Sequence, residues 1–161
     1  MKEKLFEFSY LVYDSIDELP IDKKELLLKA REATKNSYAP YSNFHVGAMA
    51  KMENGELIHG TNQENASFPV GMCAERVLLS TASSLFPNLS IQSIAISYNS
   101  NDHPMDRPIS PCGICRQTLQ EYESRMDHPI ELILGGMTGP VYVIDSVSKL
   151  LPLAFTGEEL K

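Results

Sequence analysis

The chain has 161 residues, 43% of them hydrophobic and 22% charged, with a formal net charge of −7 at neutral pH. That length suits one domain built on one core, and the apolar content excludes a disordered chain. The acidic balance argues against a broad basic surface for DNA or RNA, so a small molecule is the expected partner.

Met1 to Lys4 is charged, but Glu7 and Ser9 interrupt the apolar stretch that follows, so no signal peptide is expected. No run reaches transmembrane length, and no membrane partner is expected. Phe6, Phe8 and Tyr10 alternate with Glu7 and Ser9, the period of a half-buried strand. This predicts an extra edge strand within 5–13, in an N-terminal extension covering 1–20. Asp22 to Glu25 reads as an N-terminal capping box, and Leu26, Leu27, Ala30 and Ala33 give the helix after it an apolar face as far as about Ser37. Val46, Ala48 and Ala50 alternate, Asn54-Gly55 signals a tight turn, and Leu57 and Ile58 begin the return strand of a hairpin. A helix is expected from about Cys73 to Leu85, with Val77, Leu78 and Thr81 on one face and Pro87 ending the pattern.

Ile91 to Tyr98 reads as a strand, followed by a polar loop to Pro111 and a short helix. Ile130, Leu132 and Leu134 alternate as another strand, and Val141 to Ile144 forms one more after the Gly135-Gly136 break. Strands alternating with helices around an initial hairpin predict a layered α/β domain over 21–161 with a mixed sheet of about five strands.

Three cysteines, Cys73, Cys112 and Cys115, are an odd number without the look of a disulfide scaffold. A reducing, cytoplasmic setting and a metal or catalytic role follow. The Cys112-x-x-Cys115 spacing alone admits structural zinc, a redox pair or catalytic zinc. Cys73 at a helix start makes three thiolates and leaves one tetrahedral position open, whereas structural sites normally close with four protein ligands. The four histidines, His45, His59, His103 and His128, show no H-x-x-x-H ligand spacing. Glu75, two residues after Cys73, is suited to standing beside a metal-bound water as a proton carrier. Without the cysteines it would read as a surface glutamate favoured by the helix dipole.

Cys73-Ala74-Glu75 together with Pro111-Cys112-x-x-Cys115 resembles the signature of zinc nucleobase deaminases. With cysteine as the first ligand, the pattern is similar to the small homotetrameric cytidine deaminases. The resemblance runs from about Tyr38 to Leu160, taking in Tyr38-Ala39-Pro40-Tyr41-Ser42-Asn43-Phe44, Val46-Gly47-Ala48, Asn62 to Ser67 and Leu150 to Phe155. It implies the α/β/α cytidine-deaminase-like fold and one Zn²⁺ per subunit on Cys73, Cys112 and Cys115. The reaction implied is hydrolytic deamination of cytidine and/or deoxycytidine to uridine or deoxyuridine and ammonia in pyrimidine salvage. Phe44 would pack against the pyrimidine, Asn62 and Glu64 would hold the ribose hydroxyls, and Ala74 would join the substrate contacts. Phe155 would complete a neighbouring subunit's site in a homotetramer.

Zinc would make hydroxide available at neutral pH for attack on C4, while Glu75 would carry the proton to N3 and then to the departing amine. Three thiolates around a dication leave a net negative unit, and Arg76 is the candidate to offset it by donating to Cys112 or Cys115. Two departures from the family pattern are the N-terminal extension and Gln63, where the family carries an apolar residue. The rival functions are a deaminase of the same fold acting on another aminopyrimidine or on deoxycytidylate, and a noncatalytic zinc-stabilised binding module.

Overall fold

The structure, a computed structural model, describes residues 1–160. Its strands are β1 (Leu11–Tyr13), β2 (Phe44–Met52), β3 (Leu57–Thr61), β4 (Ile91–Ser100), β5 (Glu131–Gly135) and β6 (Val141–Ile144). Its α-helices are α1 (Ile21–Ala33), α2 (Ala74–Leu85) and α3 (Gly113–Met126). One sheet holds all six strands in the order β1-β6-β5-β4-β2-β3. β4 and β5 pair in parallel through the α3 crossover, and the remaining pairs are antiparallel. A hairpin at one side of a sheet with a parallel centre is what makes it mixed.

Alternation along the central strands sorts the core into two layers. Ile94 and Ile96 of β4 and Leu132 and Leu134 of β5 pack with Leu78 and Leu79 of α2 and Leu119 of α3. Ala95 and Ile133, one residue out of phase, meet Leu26, Leu27 and Ala30 of α1 on the opposite face. α1 therefore covers one side of the sheet and α2 with α3 the other.

Gly55, at φ +86°, makes the turn of the β2–β3 hairpin where the sequence places it. Gly60 sets how closely α2 approaches the sheet. A Cβ there would lie 2.4 Å from both the Ala74 carbonyl oxygen and the Leu78 amide nitrogen, so only glycine lets the first turn of α2 rest on β3.

Four local expectations are corrected. The N-terminal strand pairs only over Leu11–Tyr13, against Val141–Val143, while residues 1–10 have no ladder partner. There the Phe8 ring stacks on Tyr10, which leans on Tyr142. Pro20, not Asp22, is the N-cap of α1, and no side chain caps that end. The Lys24 amide donates to the Pro20 carbonyl at 3.0 Å, so Asp22 already lies in the first turn. On α2, Ala74, Leu78, Leu79 and Ala82 are the buried apolar positions, while Val77 and Thr81 lie at its flank. α3 has 14 residues rather than being short, and stops at Asp127 in the left-handed conformation, φ 48°.

Candidate active site and metal centre

The site forms at the end of the sheet where β3 and β4 finish and β2 begins. Cys73 and Cys112 are both extended N-cap residues, of α2 and α3 respectively. Their carbonyls accept the first helical bonds, from Val77 at 3.1 Å and Arg116 at 2.9 Å. Each sulfur-bearing residue thus starts a helix whose free amides carry partial positive charge beside it. Cys115, in the first turn of α3, is fully buried. Pro111 supplies the turn into α3, and the Arg116 Nε–H holds its carbonyl at 2.9 Å.

The sulfurs of Cys73 and Cys112 are 3.9 Å apart and those of Cys112 and Cys115 3.5 Å, and all three lie within 4.8 Å of one another. A tetrahedral zinc with bonds of about 2.3 Å separates its sulfurs by about 3.8 Å, so the triangle has the size this ion needs. Among the described residues no histidine or carboxylate joins this group, which leaves a fourth position for water or substrate. Hydrogen bonding from Cys115 brings the Cys73 thiol down to about 6, against burial and the charge of Glu75. The same bond, with burial and Glu75, pushes Cys115 up. A divalent cation among the three sulfurs relieves this competition, so the donor set suits zinc chemically as well as by size.

Glu75 is 6% exposed. Burial raises its pKa, opposed by hydrogen bonds from its own amide and from Cys115, which places the carboxylate against the sulfur group. Glu75, Cys73, Ala74 and Cys112 line a pocket of about 510 Å³ that Phe44, Asn62 and Glu64 also line. The two ends of the expected site, metal-ligating and substrate-binding, therefore share one cavity.

Asn62 and Glu64 also build the wall on which they sit. The Asn62 side chain accepts from the Val46 amide at 2.7 Å and donates to the Phe44 carbonyl at 2.8 Å, so it extends the β2–β3 ladder beyond Gly47 and Thr61. Glu64 accepts from the Tyr41 amide at 2.9 Å, the Ser42 amide at 3.3 Å and the Ser42 hydroxyl. Burial opposes the effect, but these bonds and the nearby His45 hold the Glu64 carboxyl below its ordinary value. Gln63 donates from Nε2 to Thr61 at 2.9 Å, and its backbone exchanges 2.9 Å bonds with Met72. Its polar side chain is thus accommodated at the pocket's edge.

Phe155 lies outside this pocket's lining and is 58% exposed, with its carbonyl accepting from Gln117 of α3 at 2.9 Å. Arg76 is half-buried, and its charge contributes to lowering Cys73, although among the described residues it makes no hydrogen bond to Cys112 or Cys115. Sequence reasoning missed Ser42, Phe68, Ile109 and Ser110, which also line the pocket. Ser42 and Ser110 carried a usable signal, since one lies inside the Tyr38-to-Phe44 motif and the other directly before Pro111-Cys112. Phe68 and Ile109 carried none.

A family model described as the cytidine and deoxycytidylate deaminase zinc-binding region matches residues 20–126. The chain belongs to this family. This deaminase-family chain is 37% identical over 140 residues to a cytidine deaminase of Halalkalibacterium halodurans, covering 87% of the chain and 98% of that relative. It is 33% identical over 140 residues to a cytidine deaminase of Sporosarcina psychrophila, covering 87% and 96%. Among solved structures, the 1.6 Å crystal structure of cytidine deaminase from Burkholderia pseudomallei superposes with a TM-score of 0.71 at 38% identity, covering 81% of this chain and 97% of that one. The deaminase fold and its zinc-binding region are therefore those of this chain, with Cys73, Cys112 and Cys115 as the group able to hold the ion.

Proposed function

We propose that the chain hydrolytically deaminates cytidine and/or deoxycytidine, giving uridine or deoxyuridine and ammonia, as a cytoplasmic enzyme of pyrimidine salvage. The observation that carries this reading is the buried Glu75 carboxylate beside three sulfurs, in the pocket that also contains Phe44, Asn62 and Glu64. The named relatives act as support, since each is a cytidine deaminase.

Cys73, Cys112 and Cys115 would hold a zinc ion, which would supply Lewis acidity and lower the pKa of a water from about 15.7 to about 7. Glu75 takes the proton that water gives up and places it on N3 of the cytosine ring, which makes C4 electrophilic. With the C4–O bond formed, Glu75 takes the remaining proton from that oxygen and passes it to the exocyclic nitrogen, so that C4=O forms, the C4–N bond breaks, ammonia leaves and N3 keeps the first proton. Phe44 presents a ring face to the pyrimidine, and Ala74 packs beside it at the start of α2. Asn62 and Glu64 receive the ribose hydroxyls, an amide and a carboxylate together matching groups that both donate and accept. Arg76 offsets the negative charge of the three thiolates.

No lysine or arginine lines this pocket among the described residues, which favours a nucleoside over a nucleotide, whose phosphate needs cationic partners. Residues 21–161 form the catalytic domain and 1–20 an extension to it. The exposed Phe155 ring, anchored through its carbonyl to α3, is suited to entering a neighbouring subunit's site in a homotetramer. No helix among the described residues is long and apolar enough to cross a membrane.

The test is zinc-loaded protein incubated with cytidine and with deoxycytidine, following the cytosine-to-uracil absorbance change and ammonia together. One ammonia per uracil formed supports the reading. Full zinc content with no ammonia from either nucleoside would overturn the reading, and ammonia from deoxycytidylate or another aminopyrimidine would then separate a deaminase of other specificity from a noncatalytic zinc-stabilised module.

A further inference from the structure

Tyr98 lies on β4 opposite Val46 in the antiparallel register, directly behind the pocket, and is 2% exposed. Its ring stacks on Phe44 with centroids 5.0 Å apart and planes 20° from parallel. Its hydroxyl donates to the Pro104 carbonyl at 3.0 Å. Pro104 opens the stretch that carries Ile109 and Ser110 into the pocket and ends at Cys112.

That stretch is held from its other side as well. The Thr138 amide donates to the Met105 carbonyl at 3.1 Å, and the Ser100 amide lies 3.2 Å from the Met105 sulfur. Gly136 backs the same carbonyl so closely that a Cβ would sit 2.2 Å from its oxygen. The segment is therefore clamped, and Tyr98 is the side chain that joins it to the Phe44 wall.

We propose that Tyr98 is a positioning residue for the substrate. Through the stack it fixes the plane of Phe44, and through its hydroxyl it sets the spacing between that ring and the wall bearing Ile109 and Ser110. A flat pyrimidine then enters a slot whose two sides are kept in register by one buried ring. A purely structural β4 position needs only an apolar side chain, because a buried hydroxyl must be given a partner. Here the partner is the carbonyl at the head of the pocket segment, and the apolar face of the ring backs the residue assigned to the base.

This inference rests on the nucleoside-deaminating reading, and one experiment separates the two. Wild type, Tyr98→Phe and Tyr98→Leu are compared for cytidine kinetics, zinc stoichiometry and thermal denaturation. Tyr98→Phe keeps the stack and frees the Pro104 carbonyl, so KM should rise about three- to tenfold, the worth of one hydrogen bond. Its kcat should stay within about twofold, because the lost bond lies within the protein and loosens the slot alike for the bound ground state and the transition state. Tyr98→Leu also removes the stack and should raise KM by roughly a further threefold. Because Tyr98→Phe leaves the ring in place, it decides the matter even where Tyr98→Leu does not fold.

An unchanged KM in Tyr98→Phe overturns the inference. So does a loss confined to melting temperature or zinc content, which is what a structural role alone produces. Zinc-replete wild type that releases no ammonia from either nucleoside removes the functional reading, and the inference with it.

Discussion

Glu75 and Glu123 are both buried carboxylates on helices that cover the same face of the sheet, and their partners give them opposite roles. Glu75 meets its own amide and a thiol, with the pocket in front of it. Glu123 is 9% exposed and faces donors throughout: the Ile130 amide at 2.8 Å, the Val147 amide at 3.1 Å, the Ser146 hydroxyl at 2.6 Å and the Ser148 amide at 3.3 Å. A proton on Glu75 has somewhere to go, whereas Glu123 is fully used as an acceptor. Glu75→Gln, which keeps size and polarity but cannot shuttle a proton, should retain zinc and lose at least about 10²-fold in kcat. Metal analysis and turnover on one preparation check this, and near-normal turnover would remove Glu75 from the proton transfer. Glu123→Ala should leave the metal in place and destabilise the fold by about 2–4 kcal/mol, measured by denaturant titration, because two buried amides lose their acceptor. Only the first glutamate was legible in the sequence. Its key neighbour lies two positions away at Cys73, while Glu123 meets partners 23 to 25 residues distant that no local spacing announces.

Among the elements, α2 shows how a helix can be foreseen and its orientation missed. Apolar spacing and Pro87 marked its extent, but its contact face was set by β3, where Gly60 admits the Ala74–Leu78 turn. Gly60→Ala should force α2 outward and carry Cys73 and Glu75 with it. The expected loss is about 1–3 kcal/mol of stability together with weaker zinc retention, read by thermal denaturation and metal competition. Unaltered zinc affinity would mean that the sulfurs are positioned independently of the helix contact. β1 shows the converse error. Alternation from Phe6 onward describes which faces a strand would show, but a ladder extends only as far as its partner, and β6 has just four residues. Its pairing begins only at Leu11, and the aromatic rings before it settle on one another and on Tyr142.

At the scale of the whole molecule, the layered class was readable because strand and helix periods alternate along the chain. Strand order was not, since a period of two tells which face is buried and not which strand lies alongside. Bringing β4 next to β2 puts Tyr98 behind Phe44, and the α3 crossover into parallel β5 turns Cys112 and Cys115 toward Cys73. The three sulfurs therefore belong to two helices whose first turns meet across 39 residues of chain. An ion bound there acts as a removable cross-link between them. Chelation should lower the melting temperature, and each tenfold rise in free zinc above its dissociation constant should add about 1.4 kcal/mol. Cys73→Ala should abolish that dependence, which melting curves in zinc-buffered solutions would show. The melting temperature then becomes a thermometer for the chemical potential of zinc, as sensitive to the metal buffer as to the amino-acid sequence.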